Sequence, residues 1–385
     1  MPYFNEHLRS KLPKSGTNIF TSMSQLSNKH NAVNLSQGFP DFDVDPILIK
    51  TVQKYFDKSY HQYAPMHGVY KLREQISKKT EKLYSNYYHE EHEINITSGA
   101  TQAIYTAISA LIREDDEVIL FTPAFDCYQP AIELKGGKPV FVQLKAPDFS
   151  INWEEVKKLI THRTKMIIIN SPNNPTGKIL SVEDLKELQK ITSDSNILIL
   201  SDEVYEHLVF DNEKHNSVCK LPELANRSIV VFSFGKTFHV TGWKLGYVLA
   251  PKNIMREIRK VHQFSIFSSN HPLQMALAEY IENEDNYLKL NDFYQQKRDL
   301  FLSIIKASRF EPLNCQGTYF QLLKYNKICD LNDLAMAKEL IINNGIASIP
   351  ISVFYHANLD QKILRFCFAK TMETLKRAGE ILIKI

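Results

Sequence analysis

Lys236 is the residue in this sequence best placed to do chemistry. It stands in Ser233-Phe234-Gly235-Lys236-Thr237-Phe238, directly after an apolar run, and Thr241-Gly242-Trp243-Lys244-Leu245-Gly246 follows. A primary amine there, with a second cation eight residues on, suggests a reactive amine beside an anion. Three other segments also end apolar runs in polar groups. Ser201-Asp202-Glu203-Val204-Tyr205 sets carboxylates directly after apolar residues 197–200, a costly place for an ionised group without a positive partner. Residues 170–177, N-S-P-N-N-P-T-G, read as a rigid polar turn. Thr97-Ser98-Gly99-Ala100-Thr101-Gln102 brings small residues to a helix start, where N–H groups can hold an anion. Taken singly, each has an ordinary explanation: a surface lysine, a capping aspartate, a plain turn, a helix cap.

Familiar signatures of other chemistries are missing. Gly235-Lys236-Thr237 looks like the end of a phosphate-binding P-loop, but Val230 stands where that motif needs glycine. Neither G-x-G-x-x-G nor G-x-S-x-G occurs, which removes the dinucleotide and nucleophile-elbow fingerprints. His89-Glu90-Glu91-His92 is one residue short of H-E-x-x-H and lies in a charge run, so it reads as a solvated helix end. The five cysteines, Cys127, Cys219, Cys315, Cys329 and Cys367, are scattered without a C-x-x-C pair, which argues against disulfides and a cysteine zinc site.

The elements that must position these groups follow from the apolar pattern. Residues 93–98, 117–123, 138–144, 165–171, 196–203, 228–234 and 245–250 read as strands, and 101–113, 153–160 and 181–192 as helices between them. The βαβα order predicts an α/β fold with a largely parallel, doubly wound sheet, and the candidate segments all fall at the C-terminal ends of its strands. Several strands are apolar on successive residues, as expected for a sheet covered on both faces. After about residue 270 the pattern changes: an amphipathic stretch over 285–307, strands at 318–325 and 363–369, and helices over 331–344 and 372–385. The expected organisation is an arm over 1–45 packing on the smaller unit, a large domain over 46–270 and a smaller α+β domain over 271–385.

Composition bounds the partners. The 385 residues carry 46 basic and 43 acidic side chains, a net charge of +3, so neither nucleic acid nor an anionic membrane is an expected partner. Apolar runs are far shorter than the roughly 18 residues that span a bilayer. The first residues carry Glu6, His7, Arg9, Lys11 and Lys14 with no apolar core, so a cytoplasmic location is the expectation.

Together the four segments carry a resemblance. The order S-G-A-T, N-N-P-T-G, D-E-V-Y-E, S-F-G-K-T-F and T-G-W-K-L-G resembles the class I/II pyridoxal-phosphate aminotransferases of the aspartate aminotransferase fold. It extends from Leu35-Ser36-Gln37-Gly38-Phe39-Pro40-Asp41-Phe42 to Leu364-Arg365-Phe366-Cys367-Phe368. Within that family, Q-G-F-P-D-F, A-F-D-C-Y and G-K-T-F-x-x-T-G-W-K are most similar to kynurenine/glutamine aminotransferases. The N-terminal arm and Tyr63-Ala64-Pro65-Met66 look most like bacterial methionine aminotransferases.

The resemblance implies pyridoxal 5'-phosphate as cofactor and assigns roles. Lys236 would form the imine with the cofactor aldehyde and, once freed, act as the base; Asp202 would keep the pyridine nitrogen protonated. Asn174 and Tyr205 match the partners of the ring hydroxyl, and Phe125 the aromatic that stacks on the ring. The phosphate would lie at Ala100 and Thr101 with Ser233 and Lys244; many relatives have arginine at the last position, whose forked geometry lysine lacks. Arg365, with Asn174 and the Gly38 backbone, would grip the substrate carboxylate. Tyr63 resembles the tyrosine that reaches the neighbouring subunit's cofactor phosphate in a homodimer.

The expected activity is transfer of the α-amino group of an apolar, thioether or aromatic amino acid to a 2-oxo acid in two half-reactions. Methionine, phenylalanine, tyrosine, histidine and kynurenine are the candidate donors. Two alternatives share the residues: a carbon–sulfur β-lyase of the same fold, and a cofactor-binding regulatory protein without turnover. The arm segment Asn18-Ile19-Phe20 and the loop Ile351-Ser352-Val353-Phe354-Tyr355 read either as an apolar wall for the substrate side chain or as a staple holding the arm.

Overall fold

A computed structural model describes residue 2, residues 8–13 and residues 16–385. The rest of the expected arm, with Glu6, His7 and Lys14 of its charged start, lies outside the described residues. Strand β1 (Val33–Asn34) belongs to the arm. The main sheet holds β2 (Ile94–Thr97), β3 (Glu117–Thr122), β4 (Lys138–Gln143), β5 (Thr164–Asn170), β6 (Leu198–Asp202), β7 (Ser228–Ser233) and β8 (Gly246–Leu249). Its order is β2-β8-β7-β6-β5-β3-β4. All seven expected strands are present. Only β8 runs against its neighbours β2 and β7; the remaining pairs are parallel.

Burial explains the continuous apolar runs. Along β3, Val118 and Leu120 enter one buried cluster while Ile119 and Phe121 enter another, and β5 divides Met166 and Ile168 from Ile167 and Ile169 in the same way. Successive side chains point to opposite faces, so a sheet covered by helices on both needs apolar residues at every position. Helix Val182–Thr192 starts where Ser181 and Asp184 form a reciprocal capping box.

The smaller unit is an antiparallel sheet of β9 (Glu311–Pro312), β10 (Phe320–Lys324), β12 (Ile349–Pro350) and β13 (Ile363–Cys367), in the order β12-β13-β10-β9. Strand β11 (Ile346–Ala347) pairs in parallel with β1 and ties the arm to this unit. Arg365 sits on the interior strand β13, opposite Leu322 of β10 and Ile349 of β12. Helix His271–Tyr280 lies instead against helices Pro46–Phe56 and Tyr70–Tyr84.

Two local expectations are corrected. The stretch over 285–307 is broken at Lys289 into helices Asp285–Leu288 and Leu290–Ile305. His89-Glu90-Glu91-His92 is a turn leading into β2: helix Tyr70–Tyr84 ends earlier, at the left-handed Ser85 (φ 56°), and the His92 and Glu93 N–H groups donate back to the His89 carbonyl.

Candidate active site

Parallel pairing brings the candidates to one edge of the sheet. Asn170 and Asp202 are register partners at the ends of β5 and β6, and Ser233 faces Gly246 at the end of β7. Asn170, Asp202 and Ser233, with Phe125, Asn174, Tyr205, Lys236 and Lys244 and the first turn of helix Gly99–Leu111, line one cavity of about 150 Å³. Ala100 and Thr101 lie in that turn, whose N-cap Ser98 makes no side-chain capping bond. The first-turn N–H groups have no partner within the helix, so they can face an anion. Gly99 suits its position because φ is +79°, a left-handed conformation that other residues rarely adopt.

Lys236 lies in the short helix Phe234–Thr237, capped by the Ser233 hydroxyl, which accepts the Lys236 N–H at 3.3 Å. Its Nζ donates to Tyr319 Oη at 3.1 Å and to the Gly38 carbonyl at 3.3 Å. Burial pushes the amine down to about 8; Cys367 and Asp202 oppose that shift, while Arg365 and Lys244 add to it. A neutral amine, the nucleophilic and basic form, is therefore accessible near neutral pH.

The adjacent carboxylates Asp202 and Glu203 part company at the end of β6. Glu203 accepts from Ser201 Oγ at 2.8 Å and the Val218 N–H at 3.1 Å, and meets His215 Nε2 at 2.7 Å. Asp202 faces the cavity, accepting from Tyr128 Oη at 2.6 Å and the Val204 N–H at 3.3 Å. No cation pairs with it among the described residues, and burial raises it to about 6 against those two donors and Lys236. A ligand presenting a protonated ring nitrogen would supply the missing charge.

Arg365 is a buried guanidinium with no acid paired to it among the described residues. Nη1 donates to Asn174 Oδ1 at 2.6 Å and Nη2 to the Ser36 carbonyl at 3.3 Å, whereas Nε has no partner among the described residues. The guanidinium lies 3.9 Å from the ring centre of Phe320 and 5.2 Å from those of Phe20 and Phe354. Burial pushes it down to about 10. A buried, under-bonded cation among aromatic rings is suited to a planar carboxylate.

Gly38 joins this group through its carbonyl, and an added Cβ there would fall 2.8 Å from the Phe320 ring. Tyr205 is buried, its ring edge-on to Tyr319 at 5.2 Å, and burial raises its phenol. Tyr63 lies elsewhere: it is 81% exposed, sits edge-on to Phe267 at 5.4 Å and lines a separate surface cleft with Tyr60 and Asn270.

The arm and the 351–355 loop combine both readings. Phe20 and Phe354 lie 6.0 Å apart beside Arg365, as a wall would. Tyr355 does not belong to it, because its hydroxyl donates to the Leu144 carbonyl at 2.8 Å and ties the loop to the large sheet. Asn18 Nδ2 donates to Asp126 Oδ2 at 2.8 Å, linking the arm to the loop that carries Phe125. Sequence reasoning missed Tyr128, Tyr319 and Phe320 as site residues and gave Asn170 no role beyond opening the polar turn. Tyr128 closes the quoted A-F-D-C-Y motif, but nothing in the spacing points its hydroxyl at Asp202.

The large sheet, with an amine and an uncompensated carboxylate at its strand ends, and the small sheet, which turns the acid-free guanidinium of Arg365 toward them, define an amino-group-handling enzyme of the α/β type. Residues 30–382 match the family model of aminotransferases of class I and II, and the chain belongs to that family and is a transaminase. It is 46% identical over 373 residues to the methionine aminotransferase of Escherichia coli, covering 97% of each chain. It is 35% identical to the kynurenine–oxoglutarate transaminase of Dictyostelium discoideum, covering 96% of this chain and 94% of that one. A crystal structure from Escherichia coli, described as identifying a methionine aminotransferase function, superposes with a TM-score of 0.97 at 45% identity, covering 99% of this chain and 100% of that one.

Proposed function

We propose that the chain is a pyridoxal 5'-phosphate-dependent aminotransferase that takes the α-amino group of methionine or an aromatic amino acid and passes it to a 2-oxo acid. The observation that carries the reading is the single cavity in which Lys236, its amine lowered to about 8, meets the buried Asp202 carboxylate that lacks a cation. The cofactor fits these residues. Asp202 would hold its pyridine nitrogen, Phe125 its ring face, Tyr205 and Asn174 its ring hydroxyl, and Ala100, Thr101, Ser233 and Lys244 its phosphate. When bound, the cofactor supplies an aldehyde for the amino group and an electron sink for the substrate carbon.

The chain's own residues do the rest. Arg365 binds the substrate carboxylate, with Asn174 and Gly38 fixing its orientation, and Lys236 takes the proton from Cα and would deliver it to the carbon that carried the cofactor's aldehyde. Methionine and aromatic donors are supported by the relatives named above and by Phe20, Phe320 and Phe354 around Arg365.

The same reading places an arm over 1–45, a cofactor domain over 46–270 and a small domain over 271–385, with helix His271–Tyr280 at the start of the last span packed on the cofactor domain, in a cytoplasmic homodimer. Among the described residues no helix is long and apolar enough to cross a membrane. Exposed Tyr63 is available to a partner subunit's phosphate site. A panel of amino donors against several 2-oxo acids, scored by kcat/KM, tests the assignment. Methionine or an aromatic donor should lead; pyruvate and ammonia released from cysteine conjugates in place of transamination would favour the β-lyase.

A further inference from the structure

Tyr319 stands just before β10, far in sequence from Lys236 and Gly38, yet the three meet at one point. The phenol donates to the Gly38 carbonyl at 2.6 Å, and Lys236 Nζ donates to both, at 3.1 Å to the phenol and 3.3 Å to the carbonyl. None of the three can move easily. Tyr319 is fully buried, with Tyr205, Tyr294 and Phe320 around its ring at 5.2, 5.8 and 4.9 Å. Gly38 packs so closely on Phe320 that a Cβ there would fall 2.8 Å from its ring, and the lysine backbone is held by the Ser233 cap.

We infer that Tyr319 is a positioning residue for the free amine of Lys236, holding Nζ against the Gly38 carbonyl whenever the lysine is not bonded to the cofactor. The inference rests on the reading of Lys236 as the working amine. A lysine side chain has many rotamers, and an amine released into a cavity loses its advantage if it wanders. Two fixed acceptors restrict it to one place. The phenol suits the task because burial keeps it neutral: its hydrogen goes to Gly38, and its oxygen remains to accept from the amine. Asp202, Cys367, Arg365, Lys244 and Tyr205 also act on Lys236, so Tyr319 is one determinant of its titration among several.

The test uses full-length enzyme loaded with the amine form of the cofactor, in which Lys236 is free. Trinitrobenzenesulfonate labelling is followed against pH, and Lys236 is read by peptide mass spectrometry. In Tyr319→Phe the ammonium loses an acceptor, so the Lys236 labelling midpoint should fall by about half a pH unit or more. The same variant should lose about tenfold in kcat with little change in KM, since the substrate carboxylate site is intact. An unchanged midpoint, or an unchanged kcat, overturns the inference. If Tyr319→Phe does not fold, 3-fluorotyrosine placed at 319 keeps the ring and weakens the oxygen as acceptor; the midpoint should again fall, and no shift overturns the inference. Labelling reports the contact whether or not Lys236 works in turnover, so failure of that reading shows separately, in Lys236→Ala.

Discussion

Arg365 Nη1 donates to Asn174 Oδ1 at 2.6 Å while Arg365 Nε has no partner among the described residues. Asn174 comes from the loop after β5 and Arg365 from β13, so this bond also joins the large sheet to the small one. A guanidinium buried without an acid is destabilising until an anion arrives. Replacing it should therefore harm substrate binding far more than folding.

Arg365→Ala is expected to raise KM for both amino acids and 2-oxo acids by roughly ten- to a hundredfold, the range of one charge-assisted hydrogen bond. Cofactor affinity, measured by absorbance titration, should be unchanged. Equal loss of both would place Arg365 in the cofactor site instead.

The raised Asp202 sets a pH dependence with a definite sign. Its carboxyl titrates near 6 in the folded chain against 3.8 for the ordinary group, so the folded state holds the proton more tightly. The resulting stabilisation is present below pH 4 and is lost as pH rises through 6. Between pH 4 and pH 7 the cofactor-free protein should lose about 2 kcal/mol relative to Asp202→Asn, which has no carboxyl to titrate. Chemical denaturation of both proteins at the two pH values measures this. Cofactor should offset the loss in the wild type, and in Asp202→Asn transamination should fall far more than cofactor affinity.

Much of this was legible in the sequence, for a physical reason. Strands buried on both faces must be apolar throughout, so β5, β6 and β7 stand out, and the polar residues that end or follow them mark the ligand edge. Lys236, Asp202, Asn174 and Ser233 were found that way, and the family resemblance supplied their roles. Tyr319 and Tyr128 were not, because a buried tyrosine reads as core filler and only the fold shows where its hydroxyl points. The break at Lys289 was equally hidden, since the amphipathic pattern continues across it.

The aromatic surroundings of Arg365 predict substrate choice. Methionine and phenylalanine should exceed aspartate in kcat/KM by at least about a hundredfold, because a side-chain carboxylate among Phe20, Phe320 and Phe354 would lack a partner. Comparable rates with aspartate would reject the apolar pocket and leave the transaminase chemistry standing.

Asn18 both caps helix Ile19–Lys29, through the Phe20 N–H at 2.8 Å, and holds Asp126. Asn18→Ala should cost about 1 kcal/mol in the cap and loosen the arm beside Arg365. The expected kinetic outcome is a severalfold rise in KM for methionine with little change in kcat. Asp126→Ala, which cuts the link and spares the cap, should reproduce the KM effect without the stability loss seen in thermal melts.

Lys236→Ala tests the central claim most directly. The purified variant should bind pyridoxal 5'-phosphate but lack the visible imine band that an amino donor bleaches in the wild type, and its transamination should fall by several orders of magnitude. A variant that keeps the band and turns over methionine near the wild-type rate would contradict the assignment of Lys236 as the working amine.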